Sequence, residues 1–358
     1  MKKLIYVLIF AALCAPAFAK EKSIAELNPE FEERVIQALK PKNTVPWEYK
    51  NTTQPLCLFF FSDVHGDARA LDRCMRFYDR YEKYFDDAVC AGDVVEASVL
   101  MDFSYWGKTK GAEKVLIALG NHESQKSHLP DGEKGYVLHG VSYERYFAPF
   151  IKNWNVVNNP DDTWYYKDYT EKKIRLVVID CMMRKGIDDE GAEAQFAWFR
   201  KVLTDARVKG LHVLMVNHIP LYNMAPIECN FTNLDLFQGD ASETVRYQEE
   251  IEKFKEKGGE FICWLGGHNH WDQMGYNKDF PTQLSFCTAA ACDYQCEVYS
   301  DMMRVKGTRC NDCVNAVIID TTCDTLKVIR AGANIDSYLR PHNTIAINYK
   351  TLEVISQN

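Results

Sequence analysis

Short apolar segments alternate with amphipathic stretches along most of the chain, and this alternation limits the folds that the chain can adopt. Between two such segments, Leu71, Cys74, Met75 and Tyr78 recur at the spacing of one helix face. Buried strands covered by helices give this pattern, so the sequence predicts an α/β fold or a mixed sandwich. The strand-like segments are LCLFFFS (56–62), DAVCAG (87–92), KVLIALG (114–120), IRLVVID (174–180), HVLMVNH (212–218), FICWLGG (261–267), LSFCTAA (284–290), NAVIIDTT (315–322) and TLKVIRAGA (325–333).

The length and composition fit one large domain. The chain has 358 residues, of which 47% are hydrophobic, and no convincing linker interrupts residues 56–335. We therefore predict a single domain over 56–335. It is preceded by an N-terminal arm, 20–55, and followed by a C-terminal tail, 336–358, with one possible strand, IAINY.

The first residues have the pattern of a bacterial-type signal peptide. Two lysines precede an apolar stretch that ends in Ala17-Phe18-Ala19, a small-x-small sequence typical of cleavage sites. We expect residues 1–19 to be removed on export, which places the protein in the periplasm or outside the cell. The alternative is a retained anchor, but the apolar stretch is short for a full membrane span and no second candidate follows.

The acidic balance argues against a general nucleic-acid surface. Without Lys2 and Lys3 the formal net charge goes from −8 to −10, which disfavours binding of long polyanions. A small phosphorylated substrate remains compatible with this charge, and the sequence leaves the oligomeric state open.

Ten of the 13 cysteines fall into two groups. Cys57, Cys90, Cys181 and Cys263 lie in or at the end of apolar segments, where a packed, reduced thiol is expected. In an exported protein, the crowding of the others favours disulfides, with a structural zinc site as the alternative. These others are Cys287, Cys292, Cys296, Cys310, Cys313 and Cys323.

Residues that can bind metals follow five of the strand-like segments. The carboxyl ends of strands form the ligand-binding crevice of sheets wound with helices, so we expect these side chains to meet. An isolated HxH is more often a pair of surface or packed histidines. On an extended chain, however, His268 and His270 would share one face and point into one volume. The residues are Asp63, His65, Asp93, Asn121, His122, Glu123, His218, His268 and His270.

The motifs DxH, GD, GNHE, a strand-terminal His and GHxH occur in that order between residues 63 and 270. This series resembles the calcineurin-like metallophosphoesterase superfamily, which is related to purple acid phosphatases and Ser/Thr phosphatases. The resemblance implies a four-layer α/β/β/α sandwich of two mixed sheets flanked by helices. It also implies hydrolysis of phosphoric esters at a centre of two metal ions.

The resemblance further implies a role for each residue. The two ions, divalent or mixed-valence Zn, Mn or Fe, would share a hydroxide that attacks phosphorus in line. His122 would not bind metal but would protonate the leaving oxygen or stabilise the phosphoryl charge. Glu123 and Asp180 are candidates to fix an imidazole. The first metal would be held by Asp63, His65, Asp93 and His270, and the second by Asp93, Asn121, His218 and His268.

Departures from the named subfamilies narrow the function. Ser/Thr protein phosphatases resemble GDxVDRG, whereas this chain has Glu96 and Ala97 in place of the acid and the arginine. Glu96 also stands where purple acid phosphatases carry an iron-binding tyrosine. We favour a phosphomonoesterase. The alternatives are a phosphodiesterase of nucleotide or glycerophosphodiester type and a protein phosphatase similar to the Ser/Thr phosphatases. A non-catalytic binding scaffold would require a broken ligand set, and here the set is complete.

Overall fold

A computed structural model of the chain describes residues 21–40, 54–94, 111–124, 143–159, 161–229, 241–288, 290–291, 304, 307–333 and 344–357. The strands are β1 (Leu56–Phe61), β2 (Asp87–Cys90), β3 (Val115–Ile117), β4 (Tyr165–Tyr169), β5 (Ile174–Val178), β6 (His212–Val216), β7 (Met224–Pro226), β8 (Glu260–Gly266), β9 (Gln273–Asn277), β10 (Leu284–Cys287), β11 (Cys313–Asp320), β12 (Thr325–Gly332), β13 (Thr344–Asn348) and β14 (Val354–Gln357). The helices are α1 (Ile24–Leu27), α2 (Phe31–Leu39), α3 (Ala68–Tyr81), α4 (Asn121–Ser124), α5 (Asp189–Lys209) and α6 (Ala241–Glu256).

Three sequence predictions fall outside these ranges. They are the signal peptide over 1–19, the pair Glu96 and Ala97, and the cysteines Cys292 and Cys296. In the part of the chain that is described, none of the helices combines the length and the apolar character needed to cross a bilayer.

The strands form two mixed seven-stranded sheets. The first has the order β14-β13-β12-β11-β1-β2-β3, in which β1, β2 and β3 run parallel. The second has the order β4-β5-β6-β8-β10-β9-β7, in which β5, β6, β8 and β10 run parallel. Each sheet therefore has a block of parallel strands that end at a common edge, as a ligand-binding crevice requires.

Alternating side chains of the second sheet pack on opposite sides. Leu176 and Val178 of β5 face the core that the two sheets share, whereas Val177 packs with the helices α5 and α6. On the far side of the first sheet, the predicted apolar face of α3 is buried. The order of layers is thus helix, sheet, sheet, helix, which confirms the predicted four-layer sandwich.

Both ends of the described chain contribute to the same core. Ile24 of α1 and Phe31 and Val35 of α2 are buried in the cluster that contains β1 and β12. The predicted strand in the tail is β13, and β14 adds the edge of the first sheet. Residues assigned to an arm and a tail are thus structural parts of the sandwich, and the boundaries at 55/56 and 335/336 stay predictions.

The cysteines differ in part from expectation. Cys57, Cys90, Cys181 and Cys263 are buried thiols, as predicted. Cys287 and Cys313 were expected in disulfides, but each is a fully buried thiol at the end of a strand, in β10 and β11. The disulfide prediction is wrong for these two. Cys287 lies in the second sheet and Cys313 in the first, so their closeness in the sequence does not make them disulfide partners.

Candidate metal centre

The predicted site residues lie together at the carboxyl ends of the two parallel blocks. The first sheet supplies the residues that follow β1, β2 and β3, and the second supplies those that follow β6 and β8. Asp63, Asp93 and His218 are almost completely buried, whereas His122 and His268 are partly exposed. The centre is therefore a pocket between the sheets with one open side.

One group of ligand atoms joins the loop after β1 to the loop after β8. The Nε2 atoms of His65 and His270 are 2.9 Å apart. Asp63 Oδ1 lies 3.4 Å from the Nε2 of His270 and 3.7 Å from that of His65. These three side chains can share one cation.

A second group of ligand atoms lies around Asp93 and His218. Asp93 Oδ2 is 3.0 Å from His218 Nε2. The same nitrogen is 3.1 Å from Asn121 Oδ1 and 3.2 Å from His268 Nδ1. The same Oδ2 is 3.8 Å from His65 Nε2 in the first group. Asp93 thus faces both groups, as a carboxylate that bridges two metals must.

These separations fit cation binding. Atoms that bind one cation at about 2.0–2.2 Å lie roughly 3–3.5 Å from one another, close to the distances within both groups. Two imidazole nitrogens can approach to 2.9 Å only when they share a proton or a cation. The mixture of carboxylate, amide and imidazole donors suits Zn, Mn or Fe.

Comparison with known proteins gives the same assignment. The sequence profile of the calcineurin-like phosphoesterase family matches residues 58–272, which is more than half of the chain and includes the whole centre. The chain belongs to the calcineurin-like phosphoesterase family. It is therefore a metal-dependent hydrolase that acts on phosphoric ester bonds, and the family implies two metal ions.

Two solved structures resemble the fold of this phosphoesterase. A dimetal phosphatase from Danio rerio aligns with a TM-score of 0.53 and 12% identity, over 82% of this chain and 99% of that chain. A purple acid phosphatase from yellow lupin (Lupinus luteus) seeds aligns with a TM-score of 0.50 and 14% identity, over 84% of this chain and 55% of that chain. Comparison with curated proteins gives no match. At these identities the structural likeness supports the fold alone.

The backbone of the phosphoesterase centre is strained. Left-handed backbone is uncommon outside glycine, and among other residues Asn, Asp and His adopt it most often; five of the proposed ligands, all Asp or His, adopt it here. His268 and His270 therefore do not share a face of an extended strand, as the sequence suggested. Each turns into a different group of ligands. The φ angles are 56° for Asp63, 49° for His65, 51° for Asp93, 71° for His268 and 61° for His270.

Two glycines allow the loops to approach closely. A Cβ on Gly120 would lie 2.1 Å from Asp93 Oδ1, and a Cβ on Gly267 would lie 2.4 Å from Asp63 Oδ2. Any side chain at these positions would push a carboxylate out of the centre. The glycines that follow β3 and β8 thus allow residues from different strands to meet.

Charges in the centre are strongly coupled. Burial would raise the pKa of Asp93, but His218, His122 and His65 outweigh it and hold the pKa below its usual range. Burial would lower the pKa of His218, yet Asp93 raises it to about 9. Burial and the charge of His218 lower the pKa of His268 to about 4. A cation that binds here must displace the proton of His218.

Glu123 holds the backbone of two ligand loops. Its Oε2 accepts hydrogen bonds from the N–H groups of Asp93 (3.0 Å) and Gly120 (2.7 Å), and its Oε1 accepts one from Val94 (2.7 Å). The imidazole of His218 is held by the carbonyl of Ala91, 2.7 Å from its Nδ1. The expected role of Glu123 in fixing an imidazole stays a prediction, and the sequence did not indicate its contacts with the backbone.

Asp180 lies in a separate network. Its carboxylate accepts hydrogen bonds from Thr163 Oγ1 (2.6 Å) and from the N–H of Met182 (2.8 Å). Gln195 Oε1 accepts from the N–H of Asp180, at 2.8 Å. These contacts hold the segment after β5 against α5, as expected of a carboxylate with a structural role at the end of a strand.

Replacing Glu123 by Gln is expected to lower the free energy of unfolding by about 1–3 kcal/mol. The side-chain NH₂ group of Gln would replace one carboxylate oxygen and face a buried backbone N–H, so that N–H would lose its acceptor. Urea denaturation of the metal-free protein measures this difference. Glu171→Gln is the control, since Glu171 is exposed in a turn and its loss should change stability by less than about 0.5 kcal/mol. Equal stability of the two variants would contradict the role of Glu123.

Proposed function

We propose that the protein is an exported phosphomonoesterase with two metal ions in the centre described above. One observation supports the centre most directly: Asp93 Oδ2 lies 3.0 Å from His218, 3.8 Å from His65 and 3.9 Å from His122. Three strand ends from two sheets thus converge on a single carboxylate oxygen. A binding scaffold would have no need for this convergence of buried, charged groups.

The ligand assignment follows the two groups of atoms. Asp93 bridges the positions, and the neutral amide of Asn121 completes the second one without adding charge. When bound, the two cations supply Lewis acidity and a nucleophile at neutral pH. The first position comprises Asp63, His65, Asp93 and His270, and the second comprises Asp93, Asn121, His218 and His268.

His122 acts on the substrate in this proposal. Its backbone N–H donates to Asp93 Oδ1 at 2.9 Å, which fixes the residue beside the bridging carboxylate. Its side chain is 18% exposed, whereas that of His218 is fully buried. A partly exposed imidazole at the open side of the centre can donate a proton to the leaving oxygen.

The positive charge of the centre favours a monoester substrate. Asp63 and Asp93 contribute two negative charges and the shared hydroxide a third against the four positive charges of two dications, so roughly one positive charge remains. A phosphate monoester carries about −1.5 to −2 at pH 7 and is attracted to this positive charge more strongly than a singly charged diester is. The two structures with a similar fold are also named as phosphatases.

Metal analysis combined with hydrolysis of matched aryl substrates tests the proposal. We expect two metal ions per chain and faster hydrolysis of an aryl phosphate monoester than of the corresponding diester. Chelation should abolish both activities, and added Zn, Mn or Fe should restore them. Faster diester hydrolysis would select the phosphodiesterase alternative, and metal-free protein that stays inactive on reconstitution would select the binding scaffold.

Export is the part of the proposal that depends on residues 1–19. The sequence Ala17-Phe18-Ala19 is the proposed cleavage site. Expression of the full chain with its own N-terminus, followed by cell fractionation and mass measurement, should give a periplasmic or secreted product that begins at Lys20. A cytoplasmic product that retains Met1 or Lys2 would refute export.

A further inference from the structure

A buried ion pair holds the segment that follows His270. Arg330 lies in β12 of the first sheet and is 3% exposed. Both of its terminal nitrogens contact the Asp272 carboxylate, and the Nη2–Oδ1 distance is 2.6 Å. Asp272 lies two residues after His270, so this bidentate pair connects the first sheet to the ligand loop of the second.

The same guanidinium reaches the strand that delivers Asp63. Arg330 Nε donates to Asn315 Oδ1 of β11 at 2.9 Å. The amide of Asn315 donates in turn to the carbonyl of Phe60 in β1 at 3.2 Å, three residues before Asp63. One network therefore connects the loop after β1, which carries Asp63 and His65, to the loop after β8, which carries His270.

Stability alone does not require this pair. Replacing a buried ion pair by apolar side chains of similar volume is often neutral for stability or favourable, because desolvation offsets the Coulomb attraction. Burial would lower the pKa of Arg330, but Asp272 outweighs it and raises the pKa. The planar geometry of the pair fixes direction as well as distance.

His270 needs such a restraint. Its backbone is left-handed, with φ of 61°, and this conformation persists only where its surroundings enforce it. Its Nε2 lies 2.9 Å from His65 Nε2 and 3.4 Å from Asp63 Oδ1, and it must stay near both atoms to complete the first position.

We propose that Arg330 and Asp272 are positioning residues that hold His270 against Asp63 and His65, and so set the metal affinity of the first position independently of the second. This inference rests on the two-metal centre of the proposed function. The inference adds two residues that are not ligands themselves and that affect metal binding at only one of the two positions.

The experiment measures Mn²⁺ binding to the full-length protein by calorimetry, one position at a time. Asn121→Ala removes a ligand of the second position only, and Asp63→Asn removes a ligand of the first only. Adding Asp272→Asn to the Asn121→Ala variant should weaken the remaining site about 10- to 100-fold, the usual effect of losing a group that orients a ligand. Adding it to Asp63→Asn should change affinity less than about two-fold.

The double variant Arg330→Met/Asp272→Leu separates positioning from stability. It removes the pair without leaving an unpaired charge, so the protein should fold with near-normal thermal stability while the first position stays weakened. Arg175→Met is the matched control, because Arg175 is fully buried and makes a similar bidentate pair with Asp168 on β4. This control should lose stability and keep both metal affinities.

Three results would overturn the inference. They are unchanged affinity at the first position, equal weakening of both positions, and normal affinity in the apolar double variant. Wild-type protein that binds none of Mn, Zn and Fe would instead refute the two-metal centre itself, so the two failures are distinguishable.

Discussion

Asp93→Asn is expected to bind neither metal with useful affinity and to lose essentially all phosphoesterase activity. The change removes a negative charge that faces both groups of ligands, since Asp93 Oδ2 lies 3.0 Å from His218 and 3.8 Å from His65. Changes outside the ligand set already cost about 10- to 100-fold in metal affinity, so loss of a shared ligand should cost more than about 100-fold at both positions.

Asp180→Asn is the control for this variant. Asp180 is a buried carboxylate at the end of β5, but its contacts are with Thr163 and Met182. Elemental analysis after desalting should find two metals per chain in wild type and in Asp180→Asn, and fewer than one in Asp93→Asn. Full metal content in Asp93→Asn would refute the bridging role.

The placement of the proposed ligands was predictable from the sequence because they follow apolar strands directly. An apolar run such as LCLFFF fixes a buried strand, and Asp63 and His65 must then emerge at its carboxyl end. Parallel pairing of β1 with β2 brings Asp93 to the same edge. The position of these residues thus follows from local pattern and a general rule of sheet topology.

The packing of the two ends was not predictable in the same way. Phe31 and Val35 are four residues apart, as on one face of a helix, but this spacing does not tell which surface the helix covers. In the structure they pack on the first sheet, beside β12. Contacts between segments so distant in sequence leave no local pattern.

The conformation of the loops that carry the proposed ligands could also not be predicted from the sequence. Left-handed backbone at His268 and His270 is imposed by tertiary contacts, and the composition of GHNH does not indicate it. The N–H of His268 donates to both oxygens of Asp63, at 3.1 and 3.0 Å, across more than two hundred residues of chain. Strain of this kind becomes visible only when the partners are in place.

His122→Ala is expected to keep both metals and to lose about 10²- to 10⁴-fold in kcat, the usual contribution of a general acid. His122 Nε2 is 3.9 Å from Asp93 Oδ2, and the ring meets that of His65 edge to face at 4.7 Å. His122 is partly exposed, but it also lies close to two proposed ligands. His65, Asp93 and His122 therefore form a further group that could hold a cation. Proximity alone does not separate an acid from a ligand.

Metal content and leaving-group dependence distinguish the two roles of His122. A general acid matters most when the leaving oxygen is basic, so His122→Ala should slow hydrolysis of an alkyl phosphate far more than that of an ester with a nitrophenyl leaving group. His212→Ala is the control, since His212 begins β6 at the opposite end of the strand from His218. If His122→Ala loses metal to the same extent as Asp93→Asn, His122 is a ligand, because a residue that acts only on the leaving group leaves the cations in place.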